Sequence, residues 1–110
     1  MKITQREVND VKIIDFEGNL DTNTSHNAEV ELKKLLNQGE KKIIINLLNM
    51  DYISSAGLRV LLATTKQLKS TGGSLRLCHL NETVLEIFDI SGFSIILDVF
   101  DTESEALQDF

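Results

Sequence analysis

The chain has 110 residues, enough for one domain with its own core and with no need of disulfides or metals to hold it closed. Hydrophobic residues at 42% and charged residues at 25% describe a globular chain and exclude a disordered one. Seventeen acidic against eleven basic residues give a net charge of −6, which argues against phosphate-backbone binding, so no direct nucleic-acid partner is expected.

Apolar runs such as Ile43-Ile44-Ile45 are too short for a transmembrane helix. No apolar signal segment follows Met1-Lys2-Ile3, and the single Cys78 leaves no internal disulfide. These features predict a cytoplasmic protein with no membrane partner. With no proline, no linker and no low-complexity stretch, residues 1–110 read as one domain.

In chain order, Ile3 to Val8 and Val11 to Phe16 predict two strands joined by a turn at Asn9-Asp10, with Gly18-Asn19-Leu20-Asp21 ending the hairpin. Thr24 or Ser25 can cap a helix to about Gln38, with Ala28, Leu32, Leu35 and Leu36 as its buried stripe and Gly39 as its stop. Lys42 to Leu47 is nearly continuous apolar sequence, the pattern of a central strand buried on both faces. A second helix from Ser55 to Ser70 should bury Leu58, Leu61, Leu62 and Leu68 and expose Lys66 and Lys69, stopping at Gly72-Gly73. Ser74 to His79 predicts a strand, Asn81 the cap of a short helix, and Phe93 to Val99 a last strand. Thr102-Glu103-Ser104-Glu105 fits a capping box before a terminal helix. The fold class is therefore α/β in the order ββαβαβαβα. It implies a mixed, mostly parallel sheet of about five strands, with about four helices largely on one side.

Enzyme signatures are sparse. Phosphate-cradling glycine loops and the Gly-x-Ser-x-Gly elbow are missing, and Cys78 with His79 has no partners at zinc spacing. No catalytic residue, metal or cofactor is expected. The segment Asn49 to Arg59 is more informative, because Ser54 and Ser55 fall at a helix N-terminus beyond the carboxyl end of the most buried strand. Open α/β sheets bind ligands at such ends, and the free N–H groups of a helix start tolerate an anion. Local physics alone also allows a plain serine N-cap there, worth about 1 kcal/mol.

Tyr52-Ile53-Ser54-Ser55-Ala56-Gly57-Leu58-Arg59 resembles the signature loop and helix of the STAS domain, in particular of bacterial anti-sigma factor antagonists. Gly18-Asn19-Leu20-Asp21 with Thr24, the strand Ile43 to Leu47, and Phe88-Asp89-Ile90-Ser91-Gly92-Phe93 resemble further family segments in the same order. The resemblance implies a partner switch. The unphosphorylated antagonist binds an anti-sigma factor that is also a serine kinase and so frees the sigma factor. Phosphorylation releases the antagonist, and a serine phosphatase resets it. By family spacing the phosphoacceptor is Ser55, two residues before Gly57. Family members usually carry Asp before the acceptor and Ser or Thr after it, where this chain has Ser54 and Ala56. The implied partner surface comprises Asp21, Thr22, Asn23, Thr24, Ser54, Ser55, Ala56, Gly57 and Arg59. Asp21→Ala is expected to leave stability nearly unchanged. Two other roles are open to a STAS chain: an adaptor subunit of a transporter or sensory assembly, and a nucleotide-binding module.

Overall fold

A computed structural model describes residues 1–110. Strands β1 (Lys2–Val8) and β2 (Val11–Leu20) form an antiparallel hairpin in register Val8↔Val11. Its two turn residues, Asn9 and Asp10, have φ of 50° and 70°. That is the left-handed pair that matches strand twist, and Asn and Asp tolerate it best after glycine.

The chain then alternates: α1 (Ser25–Asn37), β3 (Lys42–Ile53), α2 (Ser55–Ser70), β4 (Ser74–Cys78), α3 (Glu82–Ser91), α4 (Phe93–Ile96), β5 (Asp98–Phe100) and α5 (Glu103–Leu107). The sheet order is β1-β2-β3-β4-β5, antiparallel at the first pair and parallel thereafter. The expected mixed α/β architecture is what forms.

Strand periodicity splits the core in two. Ile14, Phe16, Ile43, Ile45, Leu47, Leu75 and Leu77 face a large cluster covered by α1, α2 and α3. Val11, Ile13, Ile44 and Cys78 face the other side, where only Ala106 of α5 belongs to the same buried cluster. Three consecutive isoleucines in β3 are thus all buried because both sheet faces are covered.

Several expectations are corrected. The segment from Phe93 begins as one helical turn, closed by Leu97 N–H donating to Phe93 O at 2.8 Å, and the last strand is only Asp98–Phe100. The pairing Arg76↔Asp98 would set Phe93 opposite Thr71, the C-cap of α2, where no strand exists to pair with. A fifth helix results, and Ile95 is left 89% exposed. β2 continues to Leu20 and β3 to Ile53, well past the predicted ends. Leu36 and Leu62 are only partly buried, while Leu58, Leu61 and Leu68 are buried and Lys66 and Lys69 exposed, as expected. In the last helix Ala106 is the fully buried residue.

One ion cluster fastens α5 to the sheet. Arg6 Nε and Nη2 donate to the two Asp15 carboxylate oxygens at 2.7 and 2.9 Å, and Nη2 also donates to Glu103 Oε1 at 2.6 Å. Asn46 Nδ2 adds a bond to Glu103 at 3.0 Å, and the Glu103 N–H donates to His79 Nε2 at 3.2 Å. Hydrogen bonds from Arg6 and then Asn46 hold the Glu103 carboxyl below its ordinary value of 4.5.

A depressed carboxyl stabilises the fold above its unfolded pKa and loses that contribution as pH falls through the folded value. Wild type should therefore be more stable than Glu103→Gln at pH 7. The difference should shrink progressively below about pH 4.5 in parallel urea titrations.

Candidate functional site

The site is built where the carboxyl ends of β2 and β3 meet the start of α2. These strands are parallel neighbours, in register Leu20↔Ile53, and the Ser54 N–H donates to Leu20 O at 2.8 Å. Gly57 seats the helix on that pair. A Cβ at Gly57 would lie 2.7 Å from Leu20 Cγ, 2.8 Å from Leu20 O and 2.9 Å from Ile53 Cγ1. No side chain fits there without moving a strand end, so Gly57 is buried packing rather than accessible surface.

The two serines differ. Ser54 is the N-cap, extended at φ −92° and ψ 172°, and its Oγ accepts from Gly57 N–H at 3.2 Å. Ser55 is the first helical residue and is exposed, with its hydroxyl outside the cap. The cap that local sequence left open between them is therefore Ser54. Ala56 is half-buried, and Arg59, one turn along from Ser55, is exposed.

The neighbouring loop after β2 is held by its own side chains. Asp21 Oδ1 accepts from Asn23 N–H at 2.9 Å and Thr24 N–H at 3.0 Å. Thr24 Oγ1 accepts from Asp21 N–H at 2.9 Å and donates to Asn19 O at 2.7 Å. Thr24 is the formal N-cap of α1, yet its side chain makes no cap bond to the helix; the expected hydroxyl cap by Thr24 or Ser25 does not form. Asp21 ties the loop instead, because two N–H groups converge on one carboxylate oxygen. Those bonds, the one from Thr24 N–H foremost, hold the Asp21 carboxyl below its ordinary value of 3.8. Thr22 and Asn23 are exposed.

Between α1 and α2 lies a shallow cleft of about 410 Å³, with Ser25, His26 and Glu29 on one wall and Ala56, Arg59 and Val60 on the other. Neither helix has an acidic residue in its first turn. An anion at Ser55 would meet α2 N–H groups and Arg59 without a carboxylate in that turn. The sequence alone does not connect His26 and Glu29 with Ala56 and Arg59. Only the packing of α1 on α2 brings them together, and no local motif encodes that.

Two stability outcomes follow from this geometry. Gly57→Ala should cost about 1–3 kcal/mol in urea unfolding, as overpacking does. Asp21→Ala should lower the thermal midpoint measurably, contrary to the near-neutral surface expectation, whereas Asp21→Asn keeps an acceptor oxygen and should lose less. The Asp21 to Asn difference should shrink progressively as pH falls below about 3.8 and be lost once pH has passed through the lower folded value.

Comparison with known proteins bears on this arrangement. The STAS domain family model matches residues 2–106. BtrV of Bordetella bronchiseptica, a candidate anti-sigma factor antagonist, is 37% identical over 110 residues, covering 100% of this chain and 95% of that one. The anti-sigma-B factor antagonist of Bacillus subtilis is 34% identical over 91 residues, covering 83% of this chain and 82% of its own. The crystal structure of a candidate anti-sigma factor antagonist from Thermotoga maritima superposes with a TM-score of 0.92 at 28% identity, over 97% of this chain and 92% of that one.

Proposed function

The chain belongs to the STAS domain family, and on that premise we propose that it is an anti-sigma factor antagonist controlled by phosphorylation of Ser55. In this reading it is a binding protein and not an enzyme. Its partners are an anti-sigma factor with serine kinase activity and a serine phosphatase that resets the switch. No helix is long and apolar enough to cross a membrane.

The observation that carries the reading is the unequal use of the two serines. Ser54 is committed to capping α2, while Ser55 stands exposed at the helix start, beside the loop whose acidic residue is Asp21. Of the two serines, that leaves the Ser55 hydroxyl free for a kinase, on the patch formed by the ends of β2 and β3. Asp21 presents a fixed negative charge there, since its loop bonds favour the ionised carboxylate.

Phosphorylation adds about −1.5 to −2 charges and three acceptor oxygens. Within the free domain the α2 N-terminus favours that charge by ~0.3–1 kcal/mol, and Arg59 at i+4 can pair with it. The domain therefore keeps its fold. The complex bears the cost, because a dianion must be desolvated against the covering partner beside the Asp21 carboxylate. A penalty of ~3 kcal/mol lowers affinity more than a hundredfold, enough for release.

Two measurements test this. Mass spectrometry after treatment with the cognate kinase should find phosphate on wild type and on Ser54→Ala, and none on Ser55→Ala. Ser54→Ala should also cost about 1 kcal/mol of stability as a lost cap. In calorimetry with the anti-sigma partner, wild type and Ser55→Ala should bind alike, Ser55→Asp more weakly, and the phosphorylated chain weakest. Equal affinities across all four forms would sink the switch.

A further inference from the structure

The charge of this chain is strongly segregated. Residues 33–42 and 66–76 carry seven of its eleven cationic side chains and one of its seventeen acidic ones, Glu40. Both stretches lie around the C-terminal turns of α1 and α2 and the strand starts beside them. Along α2, Ser70 is ~22 Å from Ser55, so this pole is remote from the phosphoacceptor patch.

A groove of about 410 Å³ runs between the two helix ends, with Lys33 and Lys41 on its rim. Asn37, Gln67, Ser70 and Thr71 line it with uncharged donors and acceptors, Leu36 is its one apolar residue, and no carboxylate lines it. Carbonyls at helix ends attract cations, and Lys41 Nζ does donate to Thr71 O at 2.9 Å. Lys34 and Lys69 stand in the last turns and meet the same need. Lys33, Lys42 and Lys66 exceed it. Lys33 has only a loose partner, Glu29 at 3.6 Å.

We propose that this lysine-rimmed groove between the C-terminal ends of α1 and α2 docks an extended, acidic peptide segment of a partner protein. Charge complementarity selects the acid. The amide and hydroxyl lining selects a peptide, whose backbone offers N–H and C=O groups at matching scale. A lipid surface would call for apolar anchors, and the groove has only Leu36. A nucleic acid would extend its charge over the rest of the molecule, where sixteen of the seventeen acidic side chains lie. The site does not depend on Ser55, and its distance from that residue lets both be occupied at once.

The test is an amide-resonance titration of the full chain with acetylated hexaglutamate, run beside neutral hexaglutamine, phosphatidylserine vesicles and a single-stranded oligothymidylate. Hexaglutamate should shift residues 33–42 and 66–73 and leave 21–24 and 54–57 in place. Lys33→Glu and Lys41→Glu should each weaken it about fivefold, whereas Lys2→Glu, with the same change in net charge, should not. Lys33→Glu guards against a result owed only to the loss of the Lys41 bond to α2. Scattered shifts, equal weakening by Lys2→Glu, tighter binding of vesicles or oligothymidylate, or no response to hexaglutamate at millimolar concentration would each overturn the proposal.

Discussion

The close approach of Gly57 to Leu20 and Ile53 is the constraint on which the site depends. A helix start can sit this close to two strand ends only where no Cβ intervenes, because a Cβ there would fall within 3 Å of both. That contact sets the height of α2 above the sheet and lets the Ser54 N–H reach Leu20 O. It also places the first exposed hydroxyl of the helix beside the loop leaving β2. Because β2 and β3 are adjacent and parallel, both loops emerge at the same end of the sheet. The patch is thus a product of strand order, and the glycine brings the helix down onto it.

Within that patch the polar groups divide between holding the fold and facing outward. Ser54 and the Asp21–Thr24 pair are engaged in local hydrogen bonds that satisfy chain ends. Ser55, Thr22, Asn23 and Arg59 are exposed. Such a division would let the surface take up charge without changing shape. Rigidity comes from groups that are already committed, and the exposed hydroxyl can be modified with no hydrogen bond of the fold to break. Asp21 serves both ends, as a loop tie and as a charge at the rim.

The opposite face of the sheet is held differently. The helix there has five residues and one fully buried side chain, Ala106, too little apolar area to anchor it alone. Arg6, Asp15, Asn46, His79 and Glu103 supply the rest through charge-assisted bonds from β1, β2, β3 and the end of β4. Arg76 reinforces the end of the chain, stacking on Phe110 at 4.3 Å and donating to Ala106 O at 2.8 Å. Beneath this cover the Cys78 thiol is buried, and desolvation pushes its pKa up to about 12, which keeps it an inert apolar filler.

The sequence by itself determined the alternation of strands and helices, the two-faced burial of Ile43 to Ile45, the extent of the second helix and the Asn81 and Thr102 caps, because each is written in residues within a turn or two of one another. The loop motif likewise marked Ser54 and Ser55 as a helix start. Only the tertiary structure decided which of the two serines is the cap, since that depends on where Gly57 can sit against Leu20, more than thirty positions earlier in the chain. It likewise decided that Phe93 to Ile96 coils, although its isoleucines favour a strand. A strand needs a neighbour, and β4 has not yet begun at that height of the sheet. The ion cluster around Glu103, the cleft that brings His26 to Arg59 and the convergence of lysines at one pole share the same cause. They join residues far apart in sequence, and only the packing of strands and helices brings such residues together.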